Sequence, residues 1–408
     1  MKKKVLALLM AAAMVIGCAA CGGGEGSSGD TAGNNTSKEN IENSDQKKPA
    51  EGQEEEGGTQ GAGVGEHFTI GYPTAPSYNA VMSAMHKNRE AVAQAAGGEL
   101  ITEVFDFTPE GTVSAIEKLI QAGCNGVFVT PMADSILPTI VKMCEESNVY
   151  FVLSMRSVND PEVKEIVEAS PMYAGNVYEN EVSAGYEMGK ALADAGGKQY
   201  AIIAPAVGDT TGALREQGLA QAAEEFGLEQ VAEVRAPEQA SDSASAVESF
   251  IASYPELDGI IRLGSTATGD VGAICTTLNN LGKAGTIKFI TVDTEEGCDA
   301  YLEDGTITAT LNDLLVQDSI VAAAMLVNAI TGTPLDGNEV AIEYSRIGKA
   351  EELSLYYEYI ACDTPVFNTE EIRSTLLRAY NPEVTIDEIS SMANTLTASG
   401  VKERREAQ

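Results

Sequence analysis

The chain has 408 residues and a formal net charge of −35, with 61 acidic against 26 basic side chains. That balance argues against nucleic acid and anionic lipid headgroups as partners, because both select a basic face. With two histidines (His67 and His86) and no tryptophan, a His-rich metal centre or a His-based catalytic triad has almost nothing to be built from. The sequence calls for neither a cofactor nor a metal.

In chain order, Met1-Lys2-Lys3-Lys4 is a short positive region followed by an uncharged apolar run over 5–20. This is the pattern of a secretory signal, and it is shorter than the roughly 20 residues of a membrane-spanning helix. The run closes in Val15-Ile16-Gly17-Cys18-Ala19-Ala20-Cys21, where a small residue before a cysteine resembles the bacterial lipobox. The resemblance implies acylation at Cys21 or Cys18. Cys18 has the better residues before it, and Cys21 has the more typical Gly-rich sequence after it. Residues 22–65 are rich in Gly, Ser, Asn and Glu and almost devoid of large apolar side chains. They cannot bury enough surface to offset ordering entropy and read as a tether.

From Phe68 onward, strand-like and helix-like segments alternate. A strand over 68–72 leads to a helix over 77–96, with Val81, Met85 and Val92 on one face. A strand over 100–105 and a helix carrying Val113, Ile116 and Ile120 follow, then a strand over 126–129. A helix over 136–146 and a strand over 149–153 complete a set. The pattern then restarts: strands over 200–204, 231–234, 259–262 and 288–292 alternate with helices over 212–226, 244–253 and 271–281. Strands that are apolar throughout, alternating with helices, predict parallel sheets covered on both faces. The repetition predicts two doubly wound α/β lobes, with a small-molecule site in the crevice beyond the carboxyl ends of their strands. A strand over 307–311, a long apolar helix over 320–330 and a strand over 340–344 come next. Helices near 369–380 and 386–396 lie in a C-terminal extension over 347–408. Of the five cysteines beyond the signal, Cys124, Cys144, Cys275 and Cys298 sit among apolar neighbours. They show no Cys-x-x-Cys pairing and read as buried free thiols.

Several local patterns stand in a telling order: Tyr173-Ala174-Gly175-Asn176 before Ala184-Gly185, Arg215-Glu216-Gln217-Gly218, Thr291-Val292-Asp293-Thr294, and the run over 305–310. Together, over about 68–346, they resemble the type I periplasmic binding proteins, in particular the ribose-binding-like sugar branch. The resemblance implies three chain crossings, near residues 173, 313 and 339. The N-terminal lobe would then be 66–172 plus 313–338, and the C-terminal lobe 173–312 plus 339–346. It also implies hinged closure on a sugar-like solute. Arg215 occupies the family's Arg-x-x-Gly ligand position, where a guanidinium fork grips two oxygens; the plain alternative is a surface ion pair. Arg156 matches one half of an Asp-Arg pair, and Met155 stands where the carboxylate is expected. Asp293 matches a ligand-accepting aspartate, with a helix cap over 295–302 as the alternative. Tyr78 is the candidate stacking ring and Asn79 a polar contact. Asn312 or Asp313 supplies an amide or acid, and Asn176 and Ser265 are further picks at strand ends.

The implied role is the substrate-binding component of an ABC importer. Its partners are an ABC permease and, through a lipid anchor, the outer face of the cytoplasmic membrane. A nucleoside or a signalling furanose is an alternative ligand. A sensory receptor subunit, docking a membrane kinase through 347–408, is an alternative role. Neither a nucleophile–base pair nor a metal constellation supports an enzyme.

Overall fold

The computed structural model describes residues 66–407 apart from 77, 78, 265, 266, 296 and 313. The expected signal, Cys18, Cys21 and the tether lie outside these residues, as do Tyr78, Ser265 and Asp313.

The first half runs β1 (Thr69–Thr74), α1 (Ala80–Ala95), β2 (Glu99–Val104), α2 (Pro109–Gln121), β3 (Gly126–Val129), α3 (Leu137–Ser147), β4 (Tyr150–Met155), α4 (Pro161–Glu168) and β5 (Tyr173–Glu179). The second runs α5 (Glu181–Asp194), β6 (Gln199–Ala204), α6 (Thr210–Phe226), β7 (Glu229–Arg235), α7 (Ala240–Ser253), β8 (Gly259–Arg262), α8 (Asp270–Asn280), β9 (Lys288–Val292), α9 (Cys298–Glu303) and β10 (Ile307–Asn312). Then come α10 (Leu315–Ile330), β11 (Glu339–Ile342) and β12 (Ser345–Ile347). The extension carries α11 (Ala350–Tyr359), α12 (Thr369–Thr375), α13 (Ile386–Thr395) and α14 (Ala398–Glu406).

Two six-stranded sheets result, ordered β11-β5-β4-β3-β1-β2 and β12-β10-β9-β8-β6-β7. Every pairing is parallel except β10 with β12. The central strands β3 and β8 are buried at every residue, as a sheet covered on both faces requires. Helix starts follow local chemistry. Asp160 caps α4 ahead of Pro161, and Asp209 accepts the Gly212 N–H at the head of α6.

The sheet order moves two of the expected crossings. β5 lies between β4 and β11, so residues 173–179 belong to the first lobe and the chain crosses at Asn180. β11 also joins the first sheet, which puts the third crossing between Ile342 and Ser345 rather than near 339. The segment Tyr-Ala-Gly-Asn-Val-Tyr-Glu lacks a continuous apolar run, and only its two strand neighbours make it a strand.

Helices α5 and α6 pack at the second lobe's base by an exchange of glycines. A Cβ at Gly185 would lie 1.8 Å from the Arg215 carbonyl oxygen, and one at Gly218 would lie 1.8 Å from that of Val182. The Gly in Arg-x-x-Gly is therefore a packing residue. α10 is buried on every side from Val316 to Ile330, because β4, β5 and α1 cover one face and α13 another. This is why its sequence is apolar all round.

The extension is packed onto both lobes: α12 lies on α1, α13 on α10 and β11, and α11 on α9. Asparagines fasten it to the first lobe. Asn328 gives its Nδ2 to Leu376 O (2.8 Å) and takes the Arg378 N–H (2.8 Å). Asn88 takes the Val366 N–H at 2.8 Å. On the second lobe, the Tyr357 and Thr294 hydroxyls are 2.7 Å apart. The four expected buried thiols are buried and free. Burial pushes Cys124 up to about 11 and Cys144 up to about 12, which keeps both thiols protonated and inert.

Candidate functional site

Residues beyond the carboxyl ends of β3 and β4 meet the start of α6 around a cavity of about 360 Å³. The first lobe supplies Asp134, Met155 and Arg156, the first crossing supplies Glu179 and Glu181, and the second lobe supplies Thr210, Thr211 and Leu214. The cavity thus has walls from both lobes and from the hinge. Its polar groups are a free-standing guanidinium, carboxylates and hydroxyls, the set that hydrogen-bonds a small polyhydroxylated molecule.

Arg156 is exposed in this cavity. It is presented by a strained turn: Met155 has φ 75, a conformation a non-glycine residue holds only under constraint. The constraint is Asp318 at the start of α10. Asp318 accepts the Met155 N–H (3.0 Å) and the Ser154 hydroxyl (2.5 Å). Ser154 also accepts from Arg89 Nη2 (3.0 Å), and the Arg89 guanidinium lies 4.1 Å above the Tyr72 ring and 4.5 Å above that of Phe128. Burial pushes the Asp318 carboxyl up to about 6 against the opposing pull of Ser154 and Arg89. Tyr72 is thereby a core residue under Arg89. Asp318 supplies a carboxylate to the very turn where Met155 replaces one, but it faces the interior and cannot serve a ligand.

Arg215 is 7% exposed and already engaged. Its Nε donates to Glu181 Oε2 (2.6 Å), Nη1 to Leu263 O (2.8 Å) and Nη2 to the Tyr344 hydroxyl (2.9 Å). Tyr344 in turn donates to Glu181 Oε2 (3.1 Å). Burial raises the Glu181 carboxyl while Arg215 pulls it down. Burial also opposes the charge on Arg215, yet Tyr344 and Glu181 hold it charged overall. At 2.6 Å the two are an ion pair, since a guanidinium does not deprotonate in proteins. The trio joins α5, α6 and the third crossing, so Arg215 braces the hinge. Nη1 and Nη2 each make one of these hydrogen bonds.

Asp293 ends β9 at φ 64 with its side chain exposed, near enough to Arg215 and Glu181 to act on both. It is not a cap: α9 begins at Gly297 without a side-chain cap. Asn79 is occupied as the N-cap of α1, accepting the Met82 N–H at 2.8 Å. Asn176 sits inside β5, 1% exposed and flanked by Leu153 and Glu339, away from the strand end. Asn312 lines a different cavity, against the extension. Of these residues Arg156 lines the cavity, Arg215 is buried in the hinge trio with Asp293 close by, Asn79 and Asn312 line two other cavities, and Asn176 is buried inside β5. Sequence reasoning missed Glu181, Glu179 and Tyr344. Asn180-Glu181 is a helix-start signal, and it marks the first crossing once β5 is assigned to the first lobe. Among the described residues no group of His, Cys, Asp or Glu is arranged to hold a metal, and no helix is long and apolar enough to cross a membrane.

A comparison with curated proteins returns no match. Solved structures do match. A ribose ABC transporter protein from Conexibacter woesei aligns over 75% of this chain and 100% of its own, at 16% identity and TM-score 0.62. A sugar-binding protein of a sugar ABC transporter from Bacillus halodurans aligns over 72% and 100%, at 18% identity and TM-score 0.61. A solute-binding protein from Actinobacillus succinogenes, solved with bound D-allose, aligns over 71% and 99%, at 18% identity and TM-score 0.60. These likenesses establish the two-lobed fold. The family model described as periplasmic binding protein domain matches residues 70–334, well over half of the chain. The chain accordingly belongs to the periplasmic binding protein domain family, whose members bind solutes and are not enzymes.

Proposed function

We propose that this chain is the extracytoplasmic substrate-binding lipoprotein of an ABC importer, capturing a sugar or sugar-like polar solute between its lobes. The observation that carries the reading is the convergence of Arg156, Glu179, Glu181 and Thr210 from both lobes and the hinge on one polar cavity, in a family of solute binders. Arg156 donates to ligand hydroxyls, Asp293 accepts from them, and Arg215 braces the hinge. Closure draws its free energy from contacts made only when both lobes grip the ligand. The charged run Met1 to Lys4, the apolar stretch and Cys18 or Cys21 support export and acylation. A permease and the outer face of the cytoplasmic membrane are then the partners.

A thermal-shift screen against D-allose, D-ribose, myo-inositol and nucleosides tests this. A sugar or polyol at about 100 times its Kd adds about 2.7 kcal/mol to folded-state stability and raises the melting temperature. A shift confined to nucleosides would replace the sugar reading by the nucleoside one, which the Met155 substitution leaves chemically open.

A further inference from the structure

A second cavity, of about 260 Å³, lies between the β10–α10 crossing and the C-terminal extension. Its buried side holds Asn312, Leu314 and Gln317 of the crossing, and its outer side is closed by Ile360, Leu396 and Ala398. The family match ends at residue 334, and the helices that close this cavity follow it in the chain. The cavity is roughly nine times the about 30 Å³ that one water occupies in the liquid, which is too large for a single bridging water.

Two groups in it are chemically incomplete. Asn312 Nδ2, a donor, and Gln317 Oε1, an acceptor, have no hydrogen-bond partner, and both residues are 2% exposed. A buried amide atom left unpaired is costly, and a ligand presenting the complementary group removes that cost. The charged residues at the rim are already engaged. Arg346 pairs with Asp194 at 2.8 Å, and Glu352 accepts the N–H groups of Gly348 and Lys349 at 2.9 and 3.2 Å. A charged occupant would sit without a counter-ion, while Leu314, Ile347, Ile360 and Leu396 suit a short apolar body.

We propose that this cavity is a second binding site, separate from the interlobe crevice, for a small neutral molecule that carries one donor and one acceptor on a short apolar body. A primary amide or a short-chain diol has that chemistry. The test uses the full chain, with butyramide and butyrate as probes followed by saturation-transfer NMR. Gln317→Leu removes the acceptor, and Ala398→Trp fills the space from the extension. Butyramide is expected to bind the native chain, and butyrate at least about tenfold more weakly. Both variants should lose about tenfold in butyramide affinity. Melting curves confirm folding, and Ser399→Trp replaces Ala398→Trp if the latter does not unfold cooperatively. Equal butyramide binding by the native chain and both variants would overturn the proposal, as would equal binding of butyrate. No binding to the native chain would show a cavity that holds water alone.

Discussion

At the residue scale, two arginines that look alike in sequence divide their labour by burial. Arg215 is locked to Glu181, Leu263 and Tyr344, and removing it strands a buried carboxylate. Arg215→Ala is expected to cost about 3–5 kcal/mol of folding stability by chemical denaturation. Arg156 is exposed, so Arg156→Ala should leave the denaturation midpoint nearly unchanged and weaken ligand binding about tenfold by calorimetry. Equal destabilisation by the two would refute this division. Asp318 makes a second prediction. Its folded-state pKa of about 6 is raised above the ordinary 3.8, so its contribution to stability is fully present below the ordinary value. That contribution is lost as pH rises through the folded one. Native protein should therefore lose stability relative to Asp318→Asn between about pH 4 and pH 7. Parallel melting-temperature profiles of the two proteins would exclude it.

At the scale of elements, the α5–α6 pair shows how a motif can mean packing and binding at once. Gly218 meets the Val182 carbonyl and Gly185 meets that of Arg215, so the helix carrying Arg215 is set against the first crossing by backbone contact. Gly218→Ala has no flexible side chain to displace and must push the helices apart. We expect a loss of about 3 kcal/mol or more, with ligand affinity falling as the Glu181–Arg215 geometry is disturbed. A midpoint within about 0.5 kcal/mol of the native one would mean the helices separate freely. β5 illustrates the opposite case, an element without a pattern of its own that exists because β4 and β11 flank it.

At the scale of the whole molecule, the extension is part of the folded body. It covers α10, and through Asn88, Asn328 and Thr294 it holds to both lobes. Deleting 348–408 uncovers an apolar helix face together with the surface that α11 and α12 occupy. The truncated chain should lose cooperative unfolding in calorimetry and aggregate. A truncated chain that melts sharply and binds ligand as before would instead make the extension a separable docking segment, as a sensory receptor subunit would need.

The sequence by itself determined the alternation of apolar strands and helices, hence two parallel-sheet lobes. It also determined the buried thiols and the position of Arg156 just past the end of β4, where it lines the cavity. These are local properties: periodicity, capping and spacing along one chain. Only the tertiary structure decided that β5 and β11 belong to the first lobe, that Arg215 braces a hinge, and that Asn79 caps a helix. It alone also decided that Asn312 faces the extension rather than the crevice. Each of these depends on a partner far away in sequence: β11 for β5, Tyr344 for Arg215, the extension for Asn312. The free energy of a buried polar group is set by that partner, and no local pattern encodes it.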